Sequence, residues 1–402
     1  MTVTDLADPA LYADEFPHEV FRQLRLHAPV SWQPQARGTG FWAVTRYDDV
    51  LTVLKTPALF SAWRGGVLLD DPPPEFLEKL RESMMNRDPP DHTRLRKLVN
   101  HVFSPKRIAL LDEAIARHAA VLVNGVRERG ACDFATEIAG AMPLFVICEI
   151  LGVPVEDRQM LYGYTHRMFA SDLEDRTEAM RDAMDAASAM RAYGAELGRI
   201  KGIKPTDDLT SDLLAAEIEG RRLTAGEFQA FFMLLFNAGA DTTRSMLCYG
   251  LDLLLRHPAS LARVRADLAL LPGAIEEICR YEAPVIQFRR TATASTELAG
   301  QKISEGDKVV VFFPSANHDE TVFRDPETFD IDRSPNHHLS FGHGTHFCLG
   351  APLARLESKH VLREFLGVPD LEPVGPMVRA RSNFLRSVLS FEVRFRPHAP
   401  HI

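Results

Sequence analysis

The sequence predicts a mainly α protein with small β-sheets, an α+β chain in which helix dominates. Three observations carry that expectation. Helical periodicity runs from His92 to about Leu271 with few interruptions. Within it, Thr224 opens one very long periodic segment that continues to about His257. Strand-like alternation is confined to the two ends of the chain.

Val30 to Gln33 and Phe41 to Thr45 read as a hairpin around Gly38 and Gly40. Tyr47 to Lys55 follows as a short helix. Phe60 to Arg87 reads as irregular, with three prolines at 72 to 74, and suits a loop over a surface or a pocket mouth better than a domain linker. His92 to Phe103 is helical and basic, with Arg94, Arg96 and Lys97. Thr224 and Glu227 make a capping-box pattern. Arg256 and His257 suit the helix end, and Pro258 stops it. This central helix, about residues 225–257, should be a rod of roughly 50 Å. Phe231 to Phe236 is apolar on every face, so that part is buried. After Pro284, Thr293 to Phe313 alternates around turns at Gly300 and Gly306. Leu389, Phe391, Val393 and Phe395 alternate with polar residues in one last strand. Pro154 and Lys201 to Asp208 are loop breaks. With no glycine-serine linker and no internal repeat, residues 1–402 are expected to form a single domain.

The chain of 402 residues is 46% hydrophobic and 25% charged, within the range of ordinary globular proteins. Its net charge of -9 disfavours nucleic acid as the main partner. Cys132, Cys148, Cys248, Cys279 and Cys348 are scattered and form no CxxC pair. That argues against a disulfide framework or a cysteine zinc site and fits a reducing, cytoplasmic location. Met1 to Leu11 lacks a signal-peptide pattern. The apolar stretch Ile138 to Val155 contains Pro143, Glu149 and Pro154, so it reads as a buried core helix with a turn, not a membrane anchor.

Chemistry concentrates in three places. The stretch Phe341 to Gly350 carries glycines at 342, 344 and 350 around Cys348. Glycine lets such a loop turn tightly, and peptide N–H groups can then surround a thiolate and lower its pKa. The helix expected over Ala351 to Phe365 would turn its positive end towards the same sulfur. The loop thus suits an ionised cysteine, either a nucleophile or a metal ligand. Midway along the buried helix lies Ala238-Gly239-Ala240-Asp241-Thr242-Thr243. Polar groups there need partners. The Thr242 hydroxyl can reach the Ala238 carbonyl, and Gly239 removes a side chain, so a local widening with room for a small polar ligand is expected. Glu277 and Arg280 share a helix face at a spacing of three. His337, His338, His343 and His346 are poorly arranged for a separate metal site, since neighbours on a strand point to opposite faces.

The pattern Phe341-Gly342-x-Gly344-x-His346-x-Cys348-x-Gly350 resembles the haem-ligand signature of the cytochrome P-450 superfamily, in its soluble bacterial type, and the resemblance covers nearly the whole chain. It implies the triangular fold of that superfamily with haem b as cofactor. Cys348 would be the axial ligand of the haem iron, and Phe341, Gly342, Gly350, Ala238 and Gly239 would lie against the haem. Ala238 to Thr243 is similar to the oxygen-activation motif. Thr242 would hydrogen-bond dioxygen, and Asp241 would link it to a proton relay through an unidentified basic side chain. His92, Arg96, Arg290 and His346 would hold the propionates, although Arg289 adjoins Arg290 and the register could shift by one. Glu277, Arg280 and Arg333 would form a structural network supporting the ligand loop.

The implied activity is a monooxygenase inserting one atom of O2 into a C–H bond of a lipophilic steroid, terpenoid or fatty-acid-like molecule. Electrons would come from NAD(P)H through a ferredoxin reductase and a ferredoxin, with the enzyme a monomer. Arg94, Lys97, Arg107, Arg355 and Lys359 are candidate docking cations. The substrate wall is expected from Phe60–Arg87, Tyr162–Ala187, Phe231, Leu235, Ala238, Val285–Phe288 and Phe384–Arg386, stretches rich in Leu, Met, Phe and Val whose candidate charges include Arg64, Arg167 and Arg386. Alternative readings are a tailoring hydroxylase of a polyketide or other secondary metabolite, a peroxygenase, and a non-catalytic haem-based carrier or sensor. The pair Asp241-Thr242 argues against the last two.

Overall fold

The computed structural model describes residues 4–35, 38–100, 103, 105–169, 176–218 and 220–397. It divides into two compact units. The first comprises Met1–Arg94, Glu276–Cys348 and Arg381–Arg386, and the second Leu95–Ile275, Leu349–Ala380 and Ser387–Ile402.

The first unit is built on a five-stranded sheet. The hairpin strands Val30–Gln33 and Phe41–Val44 pair antiparallel as expected, and the second of them pairs parallel with Lys308–Phe312. Gln287–Ala292 follows, and the short strand Phe60–Ser61 closes the edge. The Lys308–Phe312 strand is buried along its whole length. Val309 and Val311 enter one apolar cluster and Val310 and Phe312 another. A strand covered on both faces reads as a continuous apolar run instead of an alternation. Lys308, at its start, is buried with its ammonium 2.8 Å from Asp71. The helix Tyr47–Lys55 forms where the sequence places it. Phe60 to Arg87 is less irregular than expected: Pro74–Leu80 is a helix, with Pro74 supplying the fixed φ of a first turn, and Met84–Asn86 is a short 3-10 turn.

The second unit is helical around Ala225–Arg256. Its 32 residues give a rod of about 48 Å. The capping box is present in full: the Glu227 amide donates to Thr224 Oγ1 at 3.1 Å, and the Thr224 amide to Glu227 Oε2 at 2.9 Å. Phe231, Phe232, Met233 and Phe236 are buried. The apolar helix expected from Ile138 to Val155 is Ala141–Leu151, preceded by a π-helical turn at Phe134–Ala139. Pro143 sits in its first turn, where the missing N–H costs little, and Gly152 ends it at φ +66°. Phe134–Leu151 is long and apolar enough to cross a membrane, but 67% of it is buried inside the protein. The last strand is broken in two. Val388–Ser390 pairs with Val378–Arg379, and Glu392–Arg394 pairs with Ala131–Asp133 and Glu372–Pro373. The break falls at Phe391, whose amide is taken by Asp133 Oδ1 (2.9 Å) and whose carbonyl accepts from Phe134 N (2.8 Å).

Candidate functional site

In the first unit the Cys348 loop turns at Gly342 (φ +69°) and Gly344 (φ +70°), both in the left-handed region. A Cβ on Gly344 would also stand 2.8 Å from the Leu54 carbonyl, so this position excludes any side chain. The Cys348 amide donates to the Phe341 carbonyl at 2.8 Å and closes the loop. Cys348 is exposed, whereas Cys132, Cys148, Cys248 and Cys279 are buried. Burial pushes the thiols of Cys132 and Cys148 up to about 12, and that of Cys248 higher still. These three are therefore neutral and inert near pH 7.

A buried network supports this loop. The Glu277 carboxylate accepts from Arg280 Nε and Nη2 (both 2.8 Å), Arg333 Nε (3.1 Å), Asn336 Nδ2 (3.1 Å) and the Asp330 amide (3.0 Å). Arg280 Nη1 also donates to the carbonyls of Asn317 (3.0 Å) and Pro326 (2.9 Å). Asn317 in turn accepts from the Leu339 amide (2.7 Å) and donates to Ser340 Oγ (2.7 Å). The network thus reaches the two residues that precede Phe341. Sequence reasoning found Glu277, Arg280 and Arg333 but missed Asn336 and Asn317, which carry no local signal.

His92 and His346 lie together, with ring centroids 4.2 Å apart. The register question between Arg289 and Arg290 has a physical answer. Arg289 donates to Asp71 Oδ1 at 2.7 Å and to the carbonyls of Leu69 and Asp70. Arg290 is also buried but donates only to the Arg289 carbonyl, at 2.8 Å. Among the described residues no carboxylate pairs with it. Asp88 acts on it through space, while its own oxygens take the Ser61 hydroxyl and the Ala62 amide. Burial lowers the guanidinium to about 10. A buried cation without an anion is costly, so Arg290 is a ready partner for a buried ligand carboxylate. His338, by contrast, faces Glu276 at 3.3 Å.

The second unit holds Arg96, Ala238, Gly239, Asp241, Thr242 and Gly350. Arg96 Nε donates to Asn100 one turn on, at 2.9 Å. Gly350 precedes the helix Ala351–Leu366 as its N-cap residue. On the central helix, Thr242 Oγ1 donates to the Ala238 carbonyl at 2.6 Å. Ala238 is exposed and Thr242 half-buried on a rod otherwise mostly buried. With its hydrogen committed to Ala238, the Thr242 oxygen keeps lone pairs for a donor on that uncovered side. A Cβ on Gly239 would meet Ile147 Cδ1 at 2.9 Å, so this glycine also allows close packing of two helices.

Asp241 is buried. Its carboxylate takes the Arg244 guanidinium from one turn on, and the Ser387 hydroxyl from the far end of the sequence. The basic partner left unidentified by the sequence is thus Arg244. The Val388 amide, beside Ser387, donates to Ser245 Oγ at 3.1 Å. These two contacts fasten the strand beginning at Val388 to the central helix.

Two further expectations change. Arg94 is buried, not a surface cation, and Arg107 is engaged by Asp207 and Asp212. The three candidate charges of the substrate wall are each neutralised, Arg64 by Glu305 (2.8 Å), Arg167 by Asp182 (2.5 Å) and Arg386 by Glu282. Residues 170–175 of the Tyr162–Ala187 stretch lie outside the described residues.

A glycine-turned loop presenting one exposed thiol, together with a long helix carrying an acid–alcohol pair, defines the haem-thiolate class. The family model described as Cytochrome P450 matches residues 154–375. The chain is 36% identical over 403 residues to a steroid C26-monooxygenase of Rhodococcus jostii (strain RHA1), covering 98% of this chain and 84% of that protein. It is also 36% identical over 392 residues to a methyl-branched lipid omega-hydroxylase of Mycobacterium tuberculosis (strain ATCC 25618 / H37Rv), covering 94% and 91%. Among solved structures, Mycobacterium marinum cytochrome P450 CYP268A2 in complex with pseudoionone superposes with a TM-score of 0.91 at 36% identity over 98% of both chains. CYP109E1 from Bacillus megaterium in complex with corticosterone gives 0.86 at 33% identity, covering 95% of this chain and 98% of that one. The chain therefore belongs to the cytochrome P450 superfamily. It is a monooxygenase with that superfamily's mainly α fold and with haem b as cofactor, and the exposed Cys348 and carboxylate-free Arg290 fit such a group.

Proposed function

We propose that the protein hydroxylates a lipophilic molecule of the steroid, terpenoid or fatty-acid-like class, using electrons passed from NAD(P)H through a ferredoxin reductase and a ferredoxin. The substrate class is supported by three candidate cations of the expected substrate wall: Arg64, Arg167 and Arg386 each already face a carboxylate, so an anionic substrate would have to displace that partner to gain the anchor. An apolar substrate gives up no such contact. The names of the full-length relatives, a steroid C26-monooxygenase and a methyl-branched lipid omega-hydroxylase, point to the same chemistry.

When bound, the haem supplies the oxidation chemistry that activates dioxygen. The chain's own residues take the remaining roles. Cys348 would serve as the thiolate ligand, and Arg290, His92, His346 and Arg96 would hold the propionates. Thr242, whose hydrogen goes to the Ala238 carbonyl, would offer its oxygen to a hydrogen-bond donor on the uncovered side of the central helix. Asp241 holds a proton-transfer position between Arg244 and Ser387.

The test is a panel of steroids, terpenoids, methyl-branched fatty acids and polyketides added to the ferric protein. The low-to-high-spin shift is followed first, then product formation with ferredoxin and dioxygen or with peroxide. Steroids or branched lipids should give the shift, and product should need the electron donor and dioxygen. A shift confined to small polar or multiply charged compounds would overturn the substrate class. Turnover with peroxide alone would overturn the electron route.

A further inference from the structure

A second cluster of metal-binding groups lies in the first unit, in residues the P450 chemistry does not use. His18 opens the helix His18–His27, His318 follows the short helix Phe313–Ala316, and Glu327 sits two residues before Phe329. One ring nitrogen from each histidine and a carboxylate oxygen of Glu327 all lie within 4.8 Å of one another. The two imidazole rings are 4.1 Å apart between centroids.

The histidines show why a ligand is needed there. His318 is fully buried, and its Nδ1 stands 3.0 Å from the Pro314 carbonyl. A hydrogen on Nδ1 satisfies that carbonyl and leaves Nε2 as a bare lone pair. Among the described residues this buried Nε2 has no hydrogen-bond partner, and neither does the buried Nδ1 of His18. Buried ring nitrogens normally find a partner, so leaving two unsatisfied on neighbouring rings is costly. A metal ion satisfies both at once. The Pro314 carbonyl is then the outer partner that fixes tautomer and ring orientation in metal-ligating histidines.

We propose that His18, His318 and Glu327 form a binding site for zinc or a zinc-like divalent ion, which clips the N-terminal helix to the segment braced by Arg280. Two imidazoles and one carboxylate are a borderline N/O donor set suited to such ions and poorly suited to magnesium or calcium. The cations nearby are already paired, Arg25 with Glu320 at 3.0 Å and Arg280 with Glu277 at 2.8 Å. The backbone at Glu327 is fixed on both sides, because Arg280 donates to the carbonyls of Pro326 (2.9 Å) and Thr328 (3.2 Å). Tetrahedral zinc with bonds of about 2.0–2.1 Å holds its donors about 3.4 Å apart. The donors, now within 4.8 Å of one another, would draw in to that spacing, the exposed side chain of Glu327 among those that move, and water would fill the fourth position.

The test uses the haem-loaded, chelator-washed full chain titrated with zinc chloride by calorimetry, with zinc-edge X-ray absorption on the product. One zinc per chain should bind with a Kd in the micromolar range or tighter, and the absorption edge should report imidazole nitrogen and carboxylate oxygen ligands. His18→Gln and Glu327→Gln should each weaken binding at least about tenfold. Zinc should raise the melting temperature of the parent protein but not of the variants. Haem content and helical circular dichroism show that the variants are folded. No saturable binding, unchanged affinity in both variants, or an absorption spectrum without imidazole ligands would each overturn the site.

Discussion

Replacing Glu277 by alanine tests the link between the buried network and the haem-ligand loop. Glu277 and Arg280 are completely buried, and the Arg333 side chain is 9% exposed. Alanine removes the acceptor for two guanidinium groups, the Asn336 amide and the Asp330 backbone, leaving buried positive charge uncompensated. Breaking a buried pair from one side costs about 3–5 kcal/mol. Arg280 and Arg333 retain backbone carbonyl partners, which places the expected cost towards the lower end. Even so, this is a large share of a domain's total stability of about 5–15 kcal/mol. A suitable control is Glu196→Ala, which breaks a pair with Arg199 at 2.7 Å whose side chains are 54% and 61% exposed and should cost little, because water screens both charges. Guanidinium unfolding of the haem-loaded proteins gives the two costs, and transfer of haem to an acceptor apoprotein gives the retention. Glu277→Ala should unfold at clearly lower denaturant and release haem faster. A loss within about 1 kcal/mol of the control, with unchanged haem release, would refute the argument that this network supports the loop.

Three shorter predictions complete the set. Cys348→His should abolish the red-shifted Soret band of the ferrous carbon monoxide complex, whereas Cys132→Ser, at a buried neutral thiol, should keep it. Thr242→Ala should leave haem content near normal but divert reducing equivalents from product to peroxide, measured as product formed per NAD(P)H consumed. Glu357 is fully buried, with one carboxylate oxygen unpartnered, and burial raises it from 4.5 to about 8. The native state therefore holds a proton that the unfolded chain releases between those values. On this group's account, stability falls as pH rises from about 4.5 to 8 and then levels off. Glu357→Gln should remove that slope and stabilise the protein by a few kcal/mol at pH 8, as read from urea unfolding at pH 6 and pH 8.5.

Much of the fold and part of the site were legible because their determinants are local. The Thr224–Glu227 capping box, the Thr242–Ala238 hydrogen bond and the Glu277–Arg280 pair all span three or four residues. Helix geometry brings such positions together wherever the helix forms. The Cys348 loop was legible for a related reason: glycines 342 and 344 take left-handed backbone angles that other residues resist. Where a second element decided the outcome, the reading fell short. The final strand was taken as one piece because alternation does not reveal that Asp133 and Phe134 claim Phe391. The packing of Gly239 against Ile147 was missed because Ile147 lies on another helix.

By itself the sequence determined the glycine-turned Cys348 loop, the acid–alcohol pair on a long buried helix, and the Glu277–Arg280 acid–base pair. Each depends on residue type at short, fixed spacing. Tertiary structure alone decided that Arg290 and not Arg289 lacks a carboxylate, that Asp241 is shared by Arg244 and Ser387, that Arg94 is buried, and that His18, His318 and Glu327 meet. In these cases the deciding group sits on another element or depends on what packs around the residue. Burial and partnership set the electrostatics of a side chain, and no spacing along the chain encodes what will pack against it.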